Sequence, residues 1–102
     1  MISRIWRAEA TPEGAEQYRR HFEGTVVPEL RALAGFTKAE LLTRQHYDEV
    51  SIEVHTFWES LDAVRGFAGD DIKTAIVEPE AQAALIGYDD TVLHFDVQTF
   101  GI

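Results

Sequence analysis

Two extended runs, Phe36–His46 and Glu49–Trp58, separated only by Tyr47-Asp48, constrain this chain more than any other feature. In the second run Val50, Ile52 and Val54 alternate with Ser51, Glu53 and His55. Successive side chains of a strand point to opposite sides, so a period of two marks a strand with one face buried. Two such runs joined by a short polar turn predict an antiparallel hairpin. A lone hairpin is marginal in water, so the rest of the chain has to extend the sheet and cover it.

The flanking segments do so. Residues 2–9 (ISRIWRAE) read as a short strand. Thr11-Pro12 then opens a helix, with Thr as cap and Pro at the first helical position, where no amide hydrogen is needed. Ala15, Tyr18, Phe22, Val26, Leu30 and Leu33 fall on one helical face. Pro28 predicts a kink, or two pieces, between Gly24 and Pro28, and Gly35 is the stop. After the hairpin, Ser60 caps a second helix bearing Leu61, Val64 and Phe67, and Gly69 breaks it. Asp70-Asp71 are expected to begin another short helix, their charge favoured at its positive end. Pro79 opens one more turn over Glu80–Leu85. Thr91–Phe100 is expected as the last strand, Leu93, Phe95 and Val97 alternating with His94, Asp96 and Gln98.

The resulting order, β-α-β-β-α-β, predicts an α+β fold of the ferredoxin-like type: a four-stranded antiparallel sheet with helices on one face. No repeat or linker interrupts it, so residues 1–102 read as a single domain. The face left uncovered mixes aromatics and aliphatics with ionisable groups. A second copy laid sheet to sheet would cover it, which predicts a homodimer.

Several function classes are disfavoured. The chain has 102 residues, 45% of them hydrophobic and 26% charged, and no stretch apolar enough to span a membrane. The N-terminus lacks the pattern of a signal peptide. With no cysteine there is no disulfide or thiolate metal site, which fits a cytoplasmic protein. A formal net charge of -9 makes nucleic acid and anionic membranes poor partners. There is no Gly-rich phosphate loop, GxSxG or dinucleotide fingerprint, and no HExxH spacing, so neither a cofactor nor a metal is expected.

Of the four histidines, His46 adjoins the hairpin turn and is expected to be exposed. His21, beside Phe22 on the long helix, reads as a solvated or boundary residue. His55 and His94 lie within strands on the less apolar parity, beside Glu53 and Asp96. A histidine near a carboxylate can be held in one tautomer and act as a base near neutral pH. It can equally be a hydrogen-bonded structural group or a dimer contact. Tyr18, Phe22 and Phe67 have the spacing of core residues and could also line a cavity between helices and sheet.

The segment Phe57-Trp58-Glu59-Ser60-Leu61-Asp62-Ala63-Val64-Arg65-Gly66-Phe67 resembles the strand-to-helix junction of the antibiotic biosynthesis monooxygenase superfamily, whose members form dimeric α+β barrels. Ile5-Trp6-Arg7, Ala68-Gly69-Asp70-Asp71-Ile72-Lys73 and Val92-Leu93-His94-Phe95-Asp96-Val97 resemble one branch of it. The resemblance implies a cofactor-independent monooxygenase acting on a small aromatic or polyketide-like molecule, whose anion reacts with dioxygen directly. His94 would be the base, and Trp6, Tyr18, Phe22 and Phe67 would line the substrate pocket. The alternative is a non-catalytic module of the same fold that binds a small hydrophobic ligand or a partner protein. Haem-degrading relatives use an Asn, a Trp and a His at positions that fall here near Trp6, on Phe67 and on or beside Ile76, so haem breakdown is not expected. Strand alternation places Trp6 and His94 on the polar face, away from the helices. The family register instead places Trp6 on the helix side, and for Trp6 that register is preferred.

Overall fold

The computed structural model describes residues 1–101. Strand β1 spans Ile2–Ala10, helix α1 Pro12–His21 and α2 Val27–Arg31; β2 (Phe36–His46) and β3 (Glu49–Trp58) form the hairpin. Helices α3 (Leu61–Ala68) and α4 (Pro79–Ala84) follow, then two short strands, β4 (Gly87–Tyr88) and β5 (Leu93–Asp96). The caps are those the sequence calls for. The Thr11 side chain accepts from the Gly14 amide, and Ser60 from the Ala63 amide. Gly35 is not the helix stop expected of it: α2 ends at Arg31 with Ala32 as its cap, and Gly35, at φ +81°, turns the chain into β2.

Between α1 and α2 the chain stays helical but widens into one π turn, Phe22–Val26, where the Val27 amide reaches back to the Phe22 carbonyl. This is the expected interruption. Pro28 has no amide hydrogen to give the turn below it, and the extra residue absorbs the mismatch.

The sheet runs β2-β3-β1-β4, all antiparallel, with β5 on the same edge of β1 as β4. β4 meets Ala8 and Glu9, whereas β5 meets Ile2 through Ile5. Two expectations are corrected here. The last strand is Leu93–Asp96 rather than Thr91–Phe100, and Gly87–Tyr88 fills the remaining edge. Asp70-Asp71 do not start a helix. Residues 73–75 run extended beside residues 90–92, joined by the Thr74–Thr91 bridge and by Val92 N–H to Lys73 O. The Ile72 and Thr74 carbonyls, which a helix would use internally, accept from Arg4 instead.

The register fixes both faces. Ile2, Arg4, Trp6, Ala8 and Ala10 pair with Trp58, Thr56, Val54, Ile52 and Val50, and this row faces the helices. His94 lies opposite Arg4 and so shares that side. Trp6 and His94 are therefore both on the helix side, and the alternation-based placement on the polar face is corrected. In β5 the apolar parity, Leu93 and Phe95, looks the other way and is about half exposed, at 55% and 50%. That open face also carries Ile5, Leu42 and Phe57, with His55 bonded to Glu53 at 2.9 Å and Lys38 4.7 Å from the Phe57 ring.

Candidate ligand-binding cavity

The helix-side core is two clusters rather than one. Ala8, Ala10, Tyr18, Phe22, Val50, Ile52, Val54, Ala81 and Ala84 form one, at the α1–α4 end. Leu30, Trp58 and Val64, with Phe36 and Phe67 against them, form the other. Between the clusters the inward row of the sheet turns polar. His94, Arg4 and Thr56 stand side by side across β5, β1 and β3, where apolar residues would otherwise join the two cores.

A cavity of about 90 Å³ lies at this seam. Its walls draw on both clusters: Trp6, Tyr18, Phe22 and Val54 from one, Leu30 and Phe67 from the other. The extended 75–78 segment forms a further wall. The rings are in contact along it. Trp6 and Tyr18 have centroids 5.8 Å apart, Tyr18 and Phe22 6.0 Å, and Phe67 stacks on Trp58 at 5.6 Å. The Trp6 indole N–H is tied to the Asp89 carbonyl at 2.8 Å, which fixes the ring at the gap between β4 and β5.

Polar groups meet the cavity at two ends. At one is Arg4, only 5% exposed. Its Nη1 donates to the Ile72 carbonyl at 2.6 Å and to His94 Nε2 at 3.1 Å, and its Nη2 to the Thr74 carbonyl at 3.1 Å. Burial lowers its pKa from the usual arginine value. At the other end are Tyr18 and His21, one helical turn apart on α1. Burial, and then the Glu78 carboxylate, raise the Tyr18 pKa, so the hydroxyl stays protonated. The His21 side chain is 7% exposed, and neither ring nitrogen has a hydrogen-bond partner. Glu80 Oε2 is 3.1 Å from Nδ1 and Glu78 Oε2 3.8 Å from Nε2, close enough for charge pairing once the ring is protonated but not aligned as hydrogen bonds.

Trp6, Tyr18, Phe22 and Phe67 are thus brought together on the cavity wall. His94 is behind it, in contact with Arg4 rather than held by Asp96. Because an arginine only donates, His94 Nε2 must accept, and the ring proton sits on Nδ1. Burial, and then the Arg4 charge, lower the His94 pKa. His21, expected as a solvated or boundary residue, is a boundary residue of intermediate burial whose ring is turned inward. Its spacing of three from Tyr18 was the available signal, since residues three apart share a helix face. His46 is exposed, and His55 is on the far face of the sheet. Among the described residues no cluster of three His, Cys, Asp or Glu side chains is placed to hold a metal ion. No helix is long and apolar enough to cross a membrane.

A split βαβ sheet with helices on one face and a cavity beneath them places the molecule among ferredoxin-like α+β folds. More narrowly, it has the fold of the antibiotic biosynthesis monooxygenases. A monooxygenase from Streptomyces coelicolor (ActVA-Orf6), in complex with nanaomycin D, superposes with TM-score 0.65 at 17% identity, over 99% of this chain and 90% of that one. A candidate antibiotic biosynthesis monooxygenase from Bacillus cereus gives 0.65 at 14% identity, over 99% and 96%. SnoaB, a cofactor-independent oxygenase from Streptomyces nogalater, gives 0.61 at 17%, over 97% and 94%. At such identities the likeness is one of fold. No family model and no curated protein matches the sequence.

Proposed function

We propose that this chain is a cofactor-independent oxygenase that holds a small aromatic or polyketide-like molecule in the seam cavity and works as a homodimer. The observation that carries the reading is the cavity itself: aromatic walls, a neutral Tyr18 hydroxyl and a His21 ring that makes no aligned hydrogen bond, around one space. It occurs in a fold whose solved neighbours include a cofactor-independent oxygenase and a monooxygenase complexed with nanaomycin D. A phenol bound between Trp6, Phe22 and Phe67 would lose its proton to a base and react with dioxygen as the anion. One oxygen atom enters the ring to give a quinone, and the other leaves as water.

The base role expected of His94 passes to His21 in this proposal. Arg4 already occupies the Nε2 lone pair of His94, whereas the His21 nitrogens make no aligned hydrogen bond and have the Glu78 and Glu80 carboxylates within 4 Å. His94 then acts through Arg4, as a positioning residue. Polarographic oxygen uptake over a panel of phenols and quinols tests the scheme. Uptake should be lost in His21→Gln and retained, at reduced rate, in His94→Gln; the reverse order restores His94 as the base. A second reading is binding without turnover of a molecule small enough for about 90 Å³, below the roughly 300–1,000 Å³ of common ligand pockets. Tryptophan quenching by the panel with no oxygen uptake from any member would select it.

A further inference from the structure

Arg4 is a charge without a counter-charge. It is 95% buried, yet every partner it has is neutral: two backbone carbonyls and the His94 imidazole. Among the described residues it enters no ion pair, although the chain carries twice as many acidic as basic side chains. The partners take three of the guanidinium's five N–H donors, leaving two unassigned. Arginine does not shed its proton at any ordinary pH, so burial cannot neutralise it as it would a lysine. An uncompensated buried cation is unfavourable, and here it borders a cavity with mostly apolar walls.

We infer that the cavity is an anion site, taking a small flat monoanion, an aromatic carboxylate or an ionised phenol, with its charged oxygen on the Arg4 guanidinium. The surroundings set the orientation. Facing Arg4 are Thr56 from β3, His94 from β5 and the Phe67 ring from α3, whose centroid is 5.7 Å from the guanidinium carbon. None of these is negative. The cavity's acidic groups, Glu29 and Glu78, pair with nothing at Arg4, and Glu78 is at the His21 end with Glu80. An anionic oxygen is therefore attracted to one end and repelled from the other. The ring is left between Trp6 and Phe67. The planar, forked donor set of arginine suits a carboxylate in particular.

This inference rests on the reading that the cavity holds the ligand, and the test separates the two. The probe is 4-nitrophenol, whose ionised form absorbs in the visible; it is added about one pH unit below its own pKa, with binding followed by tryptophan fluorescence. Benzoate and its neutral isostere benzamide are then used as competitors. The expected result is saturable quenching, a bound probe at least about half ionised where the free one is about a tenth ionised, and displacement at least tenfold tighter by benzoate than by benzamide. Ionisation without benzoate preference assigns the site to phenolates; benzoate preference without ionisation assigns it to carboxylates. Arg4→Met should abolish both effects, and Arg4→Lys should keep them in part. The wild-type measurements decide the matter even if Arg4→Met fails to fold. Quenching with neither effect overturns the anion site and leaves the cavity as a ligand site. No quenching by any probe overturns both.

Discussion

At the scale of single residues, the polar row His94–Arg4–Thr56 governs what the sheet can do. His94 must be neutral to accept from Arg4, and burial together with the Arg4 charge lowers its pKa. A base with a depressed folded-state pKa contributes stability above its unfolded value of 6.5, and that contribution is lost as pH falls toward the folded value. His94→Gln keeps an acceptor without the titration. Urea melts should therefore show wild type losing stability relative to His94→Gln between about pH 7.5 and pH 5.5; parallel curves would rule out the Arg4 contact. Tyr18 offers a second check. Its raised pKa means that Tyr18→Phe should leave the phenolate absorbance unchanged up to about pH 11, above the ordinary tyrosine value of ~10. The five residues singled out in the sequence were legible for different reasons. Tyr18, Phe22 and Phe67 followed from helical spacing. Trp6 needed the family register, since a strand of mixed polarity has no clear inner parity. His94 was found for its residue type, but the partner that engages it is ninety residues away in the chain. Arg4 and His21 escaped because charged and polar residues are ordinarily read as solvated.

At the scale of elements, local chemistry in the sequence carried far. Caps at Thr11 and Ser60, the two-residue turn and the Pro28 interruption all depend on neighbours within a few positions, which is why they could be read. The 70–78 segment could not. Two aspartates favour a helix start, but Pro79 holds its predecessor extended, and bonds to β1 and to residues 90–92 outweigh local preference. The two-residue β4 has no alternation to detect; only the edge of β1 defines it. Contact between α1 and α4 depends on Gly14, where an added Cβ would run into the Ala84 carbonyl. Gly14→Ala should therefore destabilise the fold by about 1–3 kcal/mol, despite alanine's higher helix propensity. Chemical denaturation measures this directly, and an unchanged or raised midpoint would mean that the helices do not meet there.

At the scale of the whole molecule, the open sheet face is the largest unsatisfied feature. Leu42, Leu93 and Phe95, 44%, 55% and 50% exposed, stand on it with Ile5 and Phe57. Light scattering at micromolar concentration should give the mass of a dimer, with more than ~1,000 Å² buried, and Phe95→Glu should give a monomer. The main β-α-β-β-α-β order was legible because periodicity survives in one dimension. The division of the interior into two clusters was not, because it depends on which rows lie side by side. That division has a thermal consequence. Two small cores joined by a polar row, a void and the shared side chain of Val26 are weakly welded, so either half can open while the other persists. Amide exchange in the empty protein should resolve two protection levels, one for the α1–α4 end and one for the Leu30–Trp58 end. A bound ring would act as the missing keystone, merging the two levels into one and raising the melting temperature as its concentration rises.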